Sequence, residues 1–391
     1  MLKINSHIHT PYSFSAFKSI EEAFQLADEE GIKVLGINDF FVTDGYKEFM
    51  ETAEKYRIYP LFNIEFIGLL KDEQQNGIRV NDPSNPGRTY FCGKALKNPP
   101  AFSYQNKKKL NKVIHESQVQ VKEMLKKLTV LLDSINAPFS LNYDDLKKNY
   151  ARELVRERHI AQGLRNAINE HFSNPEAKLD FVTNLYSGEA PKADINSNSS
   201  FEGELRSRLL KAGGAAFVAE DESSFLPIPE LVDIIIDAGG IPCYPVLLDD
   251  KNGSYTEFEV NKEALLKRLT QLKVGAVELI PGRNNIEHLR SFVSFFHKNG
   301  FLVSFGTEHN SPEMIPLEVK AGGGTMLDDF LLKINEEAAF VYISHQERIK
   351  KGEEGYIDLE GQCKNLQKAD FIEEGKSIFK KFLDKPQNKN Y

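Results

Sequence analysis

His7 and His9 stand one residue apart in the opening stretch Leu2-Lys-Ile-Asn-Ser-His-Ile-His-Thr10. In an extended segment alternate side chains share a face, so both imidazoles point one way and Ile8 the other. Paired imidazoles at the end of a first strand are a natural start to a metal site, since a neutral ring nitrogen is a good ligand for zinc, iron or manganese. A His-x-His pair alone is more often packing than ligation. It gains weight from Asp39 in Gly36-Ile-Asn-Asp39 and Glu65 in Phe62-Asn-Ile-Glu65, two carboxylates that also close short apolar runs. A third polar cluster, Gly306-Thr-Glu-His-Asn310, ends the run 301–305.

The surrounding pattern explains how such residues meet. Ser19 and Glu22 read as a capping box before a helix with Ile20, Ala23, Phe24 and Ala27 on one face and Gly31 at its end. Residues 33–37 predict a buried strand, 44–56 a helix and 59–67 a strand. Strand and helix alternating at this spacing means parallel βαβ units, and in barrels built that way chemistry sits at the C-terminal ends of the strands. Residues 81–90 are dense in turn formers and predict an ordered loop. Residues 94–200 predict a mainly helical insertion, with helices at 118–132 and at 151–167, the latter containing His159, and a loop at 194–200. The βα rhythm returns with helices at 229–238, 261–272 and 286–298 and strands at 241–247, 276–280 and 301–305. Helical packing elements at 327–334 and 369–382 follow, with a frayed end after Asp384. Gly322-Gly-Gly324 lacks the Lys-Ser/Thr of a phosphate loop and reads as a flexible hinge.

Composition excludes several classes. A net charge of −8 argues against a general nucleic-acid-binding face, and Lys107-Lys108-Lys109 reads as a solvated loop. Cys92, Cys243 and Cys363 form no CxxC pair, which argues against a zinc ribbon or disulfide framework and fits a reducing compartment. The chain opens on a strand without a signal-peptide pattern, and no apolar run approaches the roughly 20 residues of a membrane span. A cytoplasmic location is expected, with no nucleic-acid or membrane partner. Oligomeric state is not encoded legibly.

His7-Ile-His-Thr10 with Ser13, Gly36-Ile-Asn-Asp-Phe40, Phe62-Asn-Ile-Glu65, Ala238-Gly-Gly-Ile-Pro-Cys-Tyr-Pro245 and Gly306-Thr-Glu-His309 together resemble the PHP (polymerase and histidinol phosphatase) family. The arrangement is most similar to its TrpH-like branch, whose helical insertion contains a stretch like Arg158-His-Ile-Ala161. The resemblance spans most of residues 1–312. It implies a distorted (β/α)7 TIM-like barrel with a helical insertion and a helical C-terminal tail. The expected organisation is a first barrel part at 1–93, the insertion at 94–200, a second barrel part at 201–312 and a helical extension at 313–391.

The resemblance also implies up to three divalent ions used to hydrolyse phosphoesters. Here the departures matter. Asn38-Asp39-Phe40 replaces Thr-Asp-His, Tyr244 holds the histidine position of Ala-His-Pro, and Tyr90 and the Phe14 region replace two further ligands. Phenylalanine cannot ligate, and neutral tyrosine is a poor ligand. The positions that keep a donor are His7, His9, Glu65 and Glu308, which points to one mononuclear site for zinc, manganese or iron. His309 has the right unperturbed pKa for proton transfer, or would serve as a fifth ligand, and Asp39 would orient a histidine ligand. Arg88, Arg158, His159, Tyr244 and Arg283 are the candidate contacts to a small anionic substrate, because guanidinium groups bind phosphate or carboxylate in bidentate fashion. The expected activity is a metal-dependent, phosphoesterase-like hydrolase. The alternatives are a lactone or amide hydrolase, or a barrel kept for binding without catalysis.

Overall fold

The computed structural model describes residues 1–248 and 255–384. Strand β1 (Lys3–Ile8), helix α1 (Ile20–Glu29), strand β2 (Ile32–Phe40), helix α2 (Tyr46–Tyr56) and strand β3 (Tyr59–Leu69) form the first units. The cap of α1 is the one predicted. Ser19 Oγ accepts the Glu22 N–H and the Glu22 carboxylate accepts the Lys18 N–H, while Ile20, Ala23, Phe24 and Ala27 are buried. Strands β1, β2 and β3 pair in parallel. Gly36 is required where they meet, since a Cβ there would lie 2.4 Å from Ser6 O and 2.7 Å from Asn63 Nδ2.

The expected loop at 81–90 is only partly a loop. Strand β4 (Arg88–Lys94) follows it and runs antiparallel to β3 and to β5 (Ile241–Val246). Asn81 anchors its approach: the side-chain oxygen accepts from Tyr90 N and Thr89 Oγ1, and its amide donates to Tyr90 O and Pro245 O. Strands β6 (Ala276–Leu279) and β7 (Leu302–Phe305) continue in parallel, which gives a ring of seven in the order β1 to β7. The barrel expectation holds. Between β7 and β1 the link is the backbone of Glu308, whose N–H donates to His7 O (3.0 Å) while its carbonyl accepts from His9 N (2.7 Å).

Between β4 and β5 the insertion folds around its own apolar cluster, which includes Val121, Leu128, Ile160, Leu164 and Phe201. Its helix α3 (Tyr104–Ser134) is longer than predicted and contains Lys107-Lys108-Lys109, whose Lys109 pairs with Glu230 at 2.8 Å. This basic run is a solvated helix face and not a loop. Helix α4 (Glu157–His171) starts six residues later than expected, which puts His159 in its first turn. Helices α5 (Pro175–Leu185) and α6 (Asn198–Leu205) follow, the second beginning inside the expected loop at 194–200 because Ser197 caps it. Helices α7 (Ile228–Asp237), α8 (Lys262–Gln271) and α9 (Ile286–Lys298) surround the second barrel part.

The C-terminal extension is more substantial than predicted. Helix α10 (Asp329–Lys350) packs Ala338, Ala339, Val341, Tyr342 and Ile343 against Ile4, Val34, Leu61, Ile241, Ala276 and Leu302, closing the barrel end opposite the candidate residues. Asn335 accepts from Phe305 N and donates to Ile4 O across the β7–β1 seam, and Gln346 accepts from Phe62 N and donates to Pro60 O. These side chains satisfy backbone groups that barrel pairing leaves over. Helix α11 (Lys368–Leu383) covers α10. Gly322-Gly-Gly324 forms the turn of a small hairpin between Lys320–Ala321 and Thr325–Met326, with Gly323 at φ 68°, not an open hinge. The frayed end expected after Asp384 lies outside the described residues.

Candidate metal centre

His7 closes toward His9 with 3.3 Å between their Nε2 atoms, and Glu65 Oε2 lies 3.1 Å from His9 Nε2. All three side chains are buried. Their partners decide which nitrogens carry protons. Glu278 Oε1 is 2.9 Å from His7 Nδ1, which places the proton there. Ser13 Oγ donates to Asp39 Oδ1 at 2.7 Å, so at 3.3 Å it can only accept from His9 Nδ1. Both imidazoles therefore turn a bare Nε2 toward Glu65. Glu65 Oε2 is buried without a hydrogen-bond partner, as is Asn38 Oδ1 nearby. Two imidazole nitrogens and a carboxylate oxygen converging in a buried space, beside the Asn38 amide nitrogen at 3.0 Å from His7 Nε2, fit a divalent cation that takes the place of a proton on Glu65, and His7, His9 and Glu65 are the donors that would hold it.

The electrostatics agree. Burial, then His7, Arg156 and Arg158, hold the His9 pKa well below its ordinary value, so the ring is neutral and able to ligate. Burial and the Glu308 and Glu278 carboxylates push Glu65 well above the usual carboxylate range. Glu278 goes the other way. Burial alone would raise it, but Lys94 and His7 together hold it at about 2. Lys94 reaches Glu278 Oε2 at 2.5 Å, and both side chains are fully buried.

The wall of the site is aromatic and cationic. Phe40 stacks on His9 at 4.8 Å, and the Arg156 guanidinium lies 4.0 Å from the Phe40 ring centroid. Tyr90 stands near Phe40, its hydroxyl pushed up to about 12 by burial and by Asp82. Gly306 lets β7 pass beneath His7, since a Cβ there would lie 2.3 Å from His7 Cβ.

The remaining predicted residues divide. Asp39 accepts from Thr10 N, Thr10 Oγ1 and Ser13 Oγ, so it orients His9 through one hydroxyl and touches neither imidazole. Glu308 pairs with Arg283 at the mouth and also accepts from Asn310 Nδ2. Glu308 and His309 take φ values of 67° and 56°, a left-handed pair held by the bonds to β1. His309 does not match the proton-transfer role expected of it. Thr307 Oγ1 contacts its Nδ1 at 2.8 Å, Ile315 O accepts from its Nε2 at 2.9 Å, and Phe17 stacks on it. Tyr244 is likewise not at the mouth: it packs beside Phe258 and donates to Glu259. Arg88 is committed to Asp82 and Glu220. Arg158 lies over Phe14 beside Arg156, and His159 accepts the Arg156 N–H through Nδ1. Burial and Arg156 keep His159 neutral, at about 3.

Glu278, Lys94, Cys92 and Arg156 were not anticipated. The signal for Glu278 was a carboxylate in the middle of the apolar run Ala276-Val-Glu-Leu279, which burial makes costly without a partner.

Residues 5–176 match the family model of the PHP domain. No curated protein sequence matches the chain. Among solved structures, a protein from Bifidobacterium adolescentis named as a metal-dependent phosphoesterase is similar at 16% identity and a TM-score of 0.55, covering 85% of this chain and 95% of that one. An amidohydrolase from Chromobacterium violaceum, solved with bound sulfate and no metal, is similar at 13% identity and a TM-score of 0.53 over the same shares. At these identities the likeness concerns the fold. The PHP resemblance read from the motifs thus holds, while these matches do not single out the TrpH-like branch. No helix among the described residues is long and apolar enough to cross a membrane.

Proposed function

We propose that this PHP-domain chain is a hydrolase of small anionic substrates, phosphoesters first among them, that works with one divalent transition-metal ion (zinc, manganese or iron) held by His7, His9, Glu65 and Glu308. The observation that carries this is the convergence of two bare Nε2 atoms on a buried Glu65 oxygen that has no hydrogen-bond partner. Such an ion supplies Lewis acidity, polarising a substrate oxygen and making water a stronger acid.

The chain's own groups supply the rest. Glu278 and Ser13, the latter held by Asp39, keep both imidazoles in one tautomer and one orientation. Glu308 stands close enough to raise the Glu65 pKa, and Arg283 balances it at the mouth. Arg156 and Arg158 bring positive charge over the aromatic wall beside His9, where the anionic part of a substrate would bind. The relative named as a phosphoesterase supports the bond type, and the sulfate in the amidohydrolase is an anion of similar shape.

Elemental analysis of the purified protein beside His9→Ala and Glu65→Gln, with a screen of phosphoesters, lactones and amides with and without added manganese, tests the proposal. One equivalent of metal lost in both variants, with metal-dependent phosphate release, is the expected result. Lactone or amide turnover alone would move the assignment to another bond. Wild-type protein without metal and without turnover would leave a binding role.

A further inference from the structure

Lys94 ends β4 with its side chain inside the barrel and fully buried. Its ammonium contacts Glu278 Oε2 at 2.5 Å and Ser6 O at 3.4 Å, and stands within electrostatic reach of the Cys92 and Cys243 thiols. Glu278 Oε1 meets His7 Nδ1, the nitrogen on the far side of the imidazole from Glu65. Cys92 completes a second group: His7, Cys92 and Glu278 offer ligand atoms that all lie within 4.8 Å of one another. His7 is thus shared by two donor sets, one with His9 and Glu65 and one with Cys92 and Glu278, whose Oε1 meets its Nδ1.

We infer that the Lys94 ammonium occupies the cation position of this second group, so that the barrel takes one exchangeable ion where its donors would otherwise accept two. The inference rests on the single-ion centre proposed above and gives its cause. A lysine ammonium is a compact point charge with three donors and no acceptor, comparable to an ion that cannot dissociate because it is tethered to the backbone. Ionised Glu278 and Lys94 together are neutral, so nothing is left in that group to attract a free cation. The Asn38 amide nitrogen fills the remaining side, 3.4 Å from Cys92 Sγ and 3.1 Å from His7 Nδ1. Donor hydrogens therefore line the space in which a second ion would sit. The arrangement also keeps Glu278 charged and His7 oriented whether or not an ion is bound, so the site is preorganised before it is loaded.

Cobalt(II) titration of the full chain reads this directly, because a cobalt–thiolate contact adds a charge-transfer absorption that imidazole and carboxylate ligands do not give. Wild type is expected to take one equivalent without that absorption. Lys94→Ser is expected to take two equivalents and show it, and adding Cys92→Ser should remove both gains. Lys94→Ser that folds and stays at one equivalent, with no thiolate signal, overturns the inference. So does a thiolate signal in cobalt-loaded wild type, which needs no variant to fold. Wild type that binds no cobalt overturns instead the single-ion centre at His7, His9 and Glu65.

Discussion

The carboxylate of Glu278 lies 2.9 Å from His7 Nδ1, and this contact keeps the proton on Nδ1 and leaves Nε2 bare toward His9. The other carboxylate oxygen belongs to Lys94. Glu278→Gln therefore removes two things at once. Without a charged acceptor on Nδ1, metal affinity is expected to fall about 10- to 100-fold, the usual effect of removing a group that orients a ligand. The stranded Lys94 ammonium should cost about 3–5 kcal/mol of stability. Metal titration and denaturant unfolding of the same preparation separate the two. A large loss of stability with unchanged metal affinity would reduce Glu278 to a counter-ion for Lys94.

Asp39 predicts a pH effect with a definite sign. Burial, opposed by the Thr10 and Ser13 hydrogen bonds, raises its pKa from 3.8 to about 6. The folded state binds this proton more tightly than the unfolded one. The resulting stabilisation is fully present below about pH 4 and is lost as pH rises through about 6. A rise of that size corresponds to about 3 kcal/mol. The stability of wild type minus that of Asp39→Asn should fall by about that amount between pH 4 and pH 7, measured on metal-free protein. A flat difference would mean that the hydrogen bonds fully offset burial.

If Glu308 belongs to the proposed ligand set, Arg283 competes with the ion for its carboxylate. Their pair is half exposed on the arginine side, so its share of stability is at most about 1 kcal/mol. Arg283→Ala is expected to leave unfolding nearly unchanged and to tighten metal binding by about fivefold, the factor that corresponds to ~1 kcal/mol. Glu308→Gln should weaken it. Metal affinities of the two variants moving in the same direction would remove Glu308 from the ligand set.

How far the sequence reveals this molecule depends on how local each signal is. From β1 to β3 the apolar runs, the Ser19 cap and the polar strand ends specify both fold and site, because each polar residue terminates an apolar run at the same end of the sheet. Strand β4 escaped because it is short, flanked by turn formers, and antiparallel in a pattern that otherwise alternates strand and helix. With it went Lys94 and Cys92, which acquire meaning only opposite Glu278, 184 residues after Lys94. His309 shows the converse limit: residue type suggested proton transfer, but only the fold reveals that Thr307 and Ile315 already engage both nitrogens. Tyr244 was misplaced by one step of strand alternation. Its register partner Val277 precedes the inward Glu278, so the tyrosine faces the outer layer.

Arg158 carries the last prediction, which concerns the anion. Its guanidinium forms no ion pair with a described residue and lies over Phe14, while burial and Arg206 bring its pKa down to about 10. The adjacent carboxylate, Glu157, is already paired with Arg206 and Lys211. A cation held among cations contributes little to the fold, so Arg158→Ala should unfold at the same denaturant concentration as wild type or a higher one. A charge-assisted hydrogen bond to a ligand is worth about 1.5–3 kcal/mol. Binding of inorganic phosphate to metal-loaded protein should therefore weaken about 10- to 100-fold, and the KM for an anionic substrate should rise by a similar factor while kcat changes less. Calorimetric titration with phosphate measures the first effect without a known substrate. Unchanged phosphate affinity with lowered stability would show that Arg158 serves the packing of the insertion on Phe14 instead of the ligand.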